Sequence, residues 1–258
     1  MITSTSNQKV KELLQLQKKA KARNQAKVFI AEGSRMVLET PKNRIKQLYI
    51  SESYFSKGGQ KLDEDGYDFE ILSDTVFAYV SDTKTPQGIL AIVKRKEYTL
   101  EDILCKDNPH LIVLDNLQDP GNLGTIFRTA EAAGVTGIVL SKDCVDIYNP
   151  KVIRSTMGAI YRMPFVYVED LLEALELMNN KGITTYAAHL KGKNSYDKEN
   201  YTKACAFLIG NEGNGLREEV SDKADIWIKI PMLGKAESLN AAVAASVLMF
   251  EAARQRRI

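Results

Sequence analysis

Three short segments gather the residue types that could hold or transform a ligand: NLQDPGNLGTIFR (116–128), LIGNEGNGL (208–216) and PMLGKAESLN (231–240). The middle one poses the sharpest chemical question. Its glycines, Gly210, Gly213 and Gly215, suit tight turns or backbone that comes close to a ligand. A dinucleotide loop requires G-x-G-x-x-G, yet Leu216, Arg217 and Glu218 follow Gly215, so the third glycine is missing. A P-loop requires Gly-Lys-Ser/Thr, which the chain lacks. Glu212 would also repel a phosphate strongly in a low-dielectric pocket. The loop therefore suits a ligand that is neutral or cationic where Glu212 points. A plain Asn/Gly turn with positive φ is the structural alternative.

In the first segment, Pro120 and Gly121 form a turn that launches a helix, and Asn122 sits near its start, free to cap or to reach outward. Arg128 falls off the apolar stripe of Leu123, Ile126, Phe127, Ala130 and Ala133. It offers a planar fork of donors to a phosphate or carboxylate, or else a surface ion pair to Glu131. In the third segment Ser238 fits the N-cap of a final helix, whereas Asn240, in its first turn, is less readily explained by capping. That helix, AAVAASVLMFEAA, is apolar nearly all round, which places it deep in a core or in a subunit interface.

These segments need a scaffold that brings them together. Continuous apolar runs at 111–115, 137–140, 164–168, 184–188, 206–210 and 226–230 alternate with helical patterns, as in a parallel sheet covered on both faces. The three segments follow the runs at 111–115, 206–210 and 226–230, and ligands in such sheets bind beyond the carboxyl ends of the strands. Upstream, strand-like runs at 28–31, 45–50, 69–72 and 89–93 outline a smaller α/β unit behind a helix over 6–23 that Ser6 could cap. The division expected is 1–95 for the N-terminal basic helix and smaller domain, 96–108 for a charged linker, and 109–258 for the larger domain.

The remaining composition narrows the function classes. With 258 residues, 44% apolar and 26% charged, the chain has the make-up of a globular protein. Net charge is +2, but residues 1–27 hold seven Lys/Arg against one acid, hence +6, which leaves −4 for the rest. Such an arm suits a phosphate backbone, and equally a solvated helix face. His110 and His189 are the only histidines, too few for a His-based metal site or a Ser-His-Asp triad; no metal is expected. Cys105, Cys144 and Cys205 match no metal or CxxC spacing, as in a reducing cytosol. With no apolar run of membrane-spanning length and no signal-peptide core, a cytoplasmic location is expected.

Taken together, NLQDPGNLGTIFRTAEAAGV (116–135), AFLIGNEGNGL (206–216) and IPMLGKAESLNAAVAASVLMFE (230–251) resemble the three signature motifs of the SpoU/TrmH family of RNA ribose 2′-O-methyltransferases, within the SPOUT superfamily. Their order and spacing fit as well, and NPKVIRSTMG (149–158) resembles a further family stretch. The part from FIAEGSRMVLE (29–39) to DTKTPQGILAIV (82–93) resembles the family's substrate-binding domain, so the likeness spans nearly the whole chain from about residue 5. The resemblance implies an α/β fold: a C-terminal domain with a deep trefoil knot and a mostly parallel sheet, and a smaller N-terminal α/β domain of ribosomal-protein type. General topology rules argue against a knot, so that expectation rests on the resemblance alone.

The resemblance further implies S-adenosylmethionine as cofactor and Asn122, Arg128, Glu212, Ser238 and Asn240 as the catalytic set. Leu190, Gly210, Asn211, Gly213, Ile230, Met232 and Leu239 would contact the cofactor. The partner implied is structured RNA, 23S rRNA first and tRNA as the alternative, with a homodimer as the assembly. Lys18, Lys19, Lys21, Arg23, Lys27 and Arg35 are the expected RNA contacts of the N-terminal domain. Two readings of other classes stand beside this one: a non-catalytic RNA-binding or ribosome-assembly factor, and a nucleotide enzyme unrelated to RNA. The five polar positions count against the first, the missing phosphate loops against the second.

Overall fold

Short runs rich in Val, Ile and Leu become strands, and the computed structural model, which describes residues 1–257, collects them into two sheets. The chain forms two compact units, Met1–Lys96 with Asp146–Tyr161, and Glu97–Val145 with the chain from Arg162 onward.

In the first unit β1 (Val28–Glu32), β2 (Ile45–Ser51), β3 (Phe69–Leu72) and β4 (Ile89–Lys94) lie in the order β1-β4-β2-β3. Strand β4 runs antiparallel to β1 and β2, and β2 parallel to β3. The helix Gln8–Lys18 places Val10, Leu13 and Leu16 in one apolar cluster with Ile30, Leu90 and Ile92. Segment 146–161 joins this unit, its helix Pro150–Ser155 packing on β1 and Tyr148 stacking on Phe29.

The single helix expected over 6–23 breaks at Lys19, whose backbone is extended, and a second helix covers Ala20–Ala26. Asn7 caps the first helix in place of Ser6. The break frees the carbonyls of Leu16 and Gln17, and Arg23 turns inward to donate to both. Its other terminal nitrogen meets Asp146 at 2.7 Å, and the side chain is 4% exposed. Arg23 is therefore a buried bracket of this unit and no surface contact, which corrects its expected place on RNA.

In the second unit β5 (His110–Leu114), β6 (Gly137–Ser141), β7 (Phe165–Val168), β8 (Thr184–Ala188), β9 (Asn194–Ser195), β10 (Cys205–Ile209) and β11 (Ile226–Lys229) form one sheet. Its order is β7-β6-β5-β10-β8-β11-β9 and every ladder is parallel. Every residue of β5, β6 and β10 is buried, as continuous apolar strands covered on both faces require. The expected linker region holds a helix, Leu100–Leu104, closed by a Thr99/Asp102 capping box; Ile103 and Leu104 enter the core of this unit. A single turn with three apolar residues in five is too short to show a period.

The last helix, Ala241–Arg256, packs on the helix Pro120–Ala132 and on β10. Its end is latched by Arg256, which donates to the carbonyls of Tyr201, Asn108 and Lys203 at 2.6–2.9 Å. Nearby His110 is 1% exposed, with Nε2 buried and unpartnered among the described residues. Burial first, and then the Arg256 charge, push its pKa down to about 3. A histidine kept neutral in the folded state adds stability above its unfolded pKa of about 6.5, and loses it as pH falls toward the folded value. The expected loss is about 1.4 kcal/mol per pH unit below 6.5 for this one group. Urea unfolding at pH 7 and pH 4.5 checks it: His110→Gln should lose about 2–3 kcal/mol less than wild type between those values. Equal losses would assign the acid sensitivity elsewhere.

Candidate active site

Strand ends explain why the three polar segments meet. Strands β5 and β10 are neighbours, and Asp115 N–H extends their ladder to Ile209 O at 2.9 Å. The segments that follow, 116–122 and 210–217, therefore leave the sheet side by side. The second segment folds on itself: Asn211 and Gly215 exchange backbone hydrogen bonds in both directions at 2.9 Å. Within that turn Asn211 Oδ1 accepts from Gly213 N and Asn214 N, and Asn211 Nδ2 donates to Asn116 O at 2.9 Å.

Glu212 stands at the tip of the turn and reaches the neighbouring segment. Its carboxylate accepts from Gln118 N at 3.2 Å, Asp119 N at 2.9 Å and Asn122 Nδ2 at 3.0 Å. Burial by itself would raise this carboxyl, but the bonds from Asn122 and from the Asp119 and Gln118 backbone outweigh it and hold the pKa below the ordinary value. The acid is thus ionised and committed to the protein. Asp119 caps the helix Pro120–Ala132 through Asn122 N, which leaves the Asn122 side chain free to reach outward. Asn122 Oδ1 in turn accepts from Asn240 Nδ2 at 3.0 Å. Asn240 Oδ1 caps the last helix through Ala242 N and Val243 N. One chain of bonds thus joins all three segments, Glu212 to Asn122 to Asn240.

The capping roles read from the sequence are reversed here. The helix begins at Ala241, so Asn240 is its cap, and Ser238 is released to line a cavity. That cavity, about 680 Å³, lies beyond β8, β10 and β11 and is bounded by the last helix. Leu190, Gly210, Asn211, Gly213, Ile230, Met232 and Leu239 all line it, as do Glu212 and Ser238. His189 and Lys191, which no motif singled out, line it too. His189 Nδ1 accepts from Lys191 N, and its ring lies against Trp227, tilted by 33° with centroids 4.3 Å apart. Burial first, then the Lys191 charge, lower its pKa.

Arg128 is exposed and touches neither the cavity nor the Glu212 chain. Among the described residues it has no ion pair or hydrogen bond. The anticipated pairing with Glu131 is absent because Glu131 is taken by Arg162. Of the basic side chains expected to meet RNA, Lys18, Lys19, Lys21, Lys27 and Arg35 are surface residues, with Arg35 also bonded to Glu39 at 3.0 Å.

The cavity walls decide which ligand fits. Its volume falls within the roughly 300–1,000 Å³ of small-molecule sites. Apolar side chains make up just over half of the lining; backbone, Ser238, Asn214, His189, Lys191, Lys229 and Glu237 supply the polar groups, while the Glu212 carboxylate is already satisfied. That fits the adenosine and methionine parts of S-adenosylmethionine, and a sulfonium meets no phosphate-binding nest. Among the described residues no group of three or more His, Cys, Asp or Glu could hold a metal ion, and no helix is long and apolar enough to cross a membrane.

A parallel α/β domain with such a cavity at its strand ends is a small-molecule-binding enzyme domain. Comparison with known proteins gives the class its family. Residues 109–250 match the SpoU rRNA Methylase family model, and residues 7–91 match an MRM3-like substrate binding domain. The chain belongs to the SpoU rRNA methylase family. It is 33% identical over 251 residues, 96% of this chain and 97% of the relative, to the Bacillus subtilis protein named 23S rRNA (guanosine(2553)-2'-O)-methyltransferase RlmP. Among solved structures it resembles an AdoMet-bound rRNA methyltransferase from Sinorhizobium meliloti, with 31% identity, a TM-score of 0.85 and coverage of 98% of this chain and 97% of that one. It also resembles the SpoU methyltransferase AviRb from Streptomyces viridochromogenes, with 26% identity, a TM-score of 0.86 and coverage of 97% and 98%.

Proposed function

We propose that this protein transfers a methyl group from S-adenosylmethionine to a ribose 2′-hydroxyl of structured RNA, with 23S rRNA as its substrate. The observation that carries the reading is the Glu212–Asn122–Asn240 chain of bonds, whose Glu212 lines a largely apolar cavity at the strand ends. Leu190, Gly210, Asn211, Gly213, Ile230, Met232 and Leu239 would hold the cofactor. Once bound, it supplies an activated methyl carbon with a good leaving group already in place. The protein's task is then mostly alignment, which is worth many powers of ten. Glu212 fixes Asn122, Asn122 fixes Asn240, and Ser238 faces the same space, so neutral donors and acceptors are preset to orient the ribose. Arg128 brings a planar fork of donors. Its role is to grip an RNA phosphate and to stabilise the negative charge that develops on the 2′-oxygen.

We further propose a homodimer. On the last helix Val243 and Phe250 are 48% and 46% exposed, an apolar stripe beside the helix that carries Arg128. A second copy covering that stripe would bring Arg128 to a completed site. From the family resemblance we read the C-terminal segment, in whose sheet β10 lies between β5 and β8, as a deep trefoil knot. Lys18, Lys19, Lys21, Lys27 and Arg35 are the proposed RNA contacts of the first unit, and the cytoplasm the proposed location.

The test combines calorimetric titration with S-adenosylmethionine and transfer of labelled methyl to 23S rRNA transcribed in vitro. Saturable binding together with RNase-resistant 2′-O-methylation at one position is the expected result. Absence of cofactor binding would overturn the reading in favour of a non-catalytic RNA-binding factor. Methylation of tRNA transcripts in place of 23S rRNA would overturn the substrate.

A further inference from the structure

Segments 115–122 and 211–217 are tied at more places than the proposed catalytic residues account for. The innermost tie lies outside the cavity. Asp115, the first residue after β5, is fully buried. Its Oδ1 accepts from Arg217 Nε at 2.8 Å and from Arg217 Nη2 at 2.7 Å, and its Oδ2 accepts from Arg217 N at 2.9 Å. A charge taken out of water is tolerated only when it is paired and hydrogen-bonded to this extent. The location of the pair is informative, because Arg217 directly follows Leu216, the last of the loop residues that line the cavity. Asn211 Nδ2 to Asn116 O ties the start of the loop, and Glu212 ties its tip.

We propose that Asp115 and Arg217 are a positioning pair for the methyl-transfer site: they fix the downstream end of loop 210–216 and thereby the cofactor wall and the reach of Glu212 to Asn122. This rests on the S-adenosylmethionine reading given above. Neither side chain touches the cavity, so the pair acts through the loop. The fork of donors sets both distance and angle, and a carboxylate accepts on both of its oxygens. An asparagine at 115 keeps the shape but turns a donor toward arginine, and a lysine at 217 keeps the charge but loses the fork. In both cases the loop end gains freedom while β5 and β10 keep their ladder.

The experiment is calorimetric titration of wild type, Asp115→Asn and Arg217→Lys with S-adenosylmethionine, with RNA affinity and amide hydrogen exchange measured on the same proteins. Both variants are expected to raise the cofactor Kd, Asp115→Asn by about tenfold or more and Arg217→Lys by about half that on a logarithmic scale. Amides 211–217 should exchange faster, while β5, β10 and the RNA Kd stay as in wild type. A general structural role would instead loosen the strands and lower RNA affinity in parallel. That result, or a wild-type cofactor Kd in either folded variant, overturns the proposal. Should Asp115→Asn fail to fold, Arg217→Lys decides it alone, because the buried carboxylate keeps a cationic partner. Failure of wild type itself to bind S-adenosylmethionine would overturn the functional reading instead, so the two failures are distinguishable.

Discussion

Arg128→Ala is expected to slow methyl transfer to RNA by about 10²–10³-fold, the usual cost of losing one preset donor to a developing oxyanion. The affinity for S-adenosylmethionine should not change, because Arg128 lies outside the cavity. Three features single out this arginine. It is exposed on the helix Pro120–Ala132, it has no partner among the described residues, and the acid three positions along the chain is occupied by Arg162. A surface arginine kept for stability would be paired; this one is open to a phosphate or a ribose. Arg128→Lys separates the two roles open to it. If charge is what matters, lysine recovers a large part of the rate; if the planar fork is needed, it recovers little. Single-turnover rates at saturating cofactor and RNA, with the oligomeric state checked by light scattering, measure the effect at the chemical step. A wild-type rate in Arg128→Ala would remove this residue from the mechanism.

The parallel sheet was legible because continuous apolar runs such as LIVL and AFLI are buried on both faces, and the strands lie where those runs are. The helix Leu100–Leu104 was not legible, since a single turn with two buried residues among charges carries no period. Arg23 misled for a different reason. Its charge belongs to a basic arm, but a helix break upstream creates acceptors for it that only the folded chain contains. Asn240 and Ser238 exchanged roles because both residue types cap helices, and the difference between start sites two residues apart lies below what local sequence encodes. Segment 146–161 joining the first unit is likewise a tertiary choice, made by Tyr148 and the helix behind it packing on β1. The polar set of the site was legible as residue types. Its wiring, with Glu212 bound to Asn122 and backbone and none to Arg128, required the geometry.

The glycines of LIGNEGNGL are not equivalent, and that difference yields the other large effect. At Gly210 an added Cβ would lie 2.1 Å from both Gly215 C and Leu216 N and 2.3 Å from Gly215 O. All three atoms are backbone, so no rotamer change relieves the clash. The turn would have to open, which breaks the paired bonds between Asn211 and Gly215 and withdraws Glu212 from Gln118, Asp119 and Asn122. At Gly213 the nearest atom to an added Cβ is Asn211 Oδ1 at 3.6 Å, an ordinary contact. Gly210→Ala should therefore weaken S-adenosylmethionine binding by about 100-fold or more and cost about 1–3 kcal/mol of stability, the range for overpacking a closed site. Gly213→Ala should change the affinity only a few-fold, near the effect of a single ordinary contact. Calorimetry and thermal unfolding on the two single-methyl variants make the comparison, each serving as control for the other. If both bind the cofactor alike, the loop does not wrap its ligand through the close approach at Gly210, and the wall of the cavity must be sought elsewhere. If only Gly210→Ala fails, the acid at the tip of this loop is explained: Glu212 takes its place as the lock that holds a tightly folded turn against Asn122, with no ligand phosphate for it to repel.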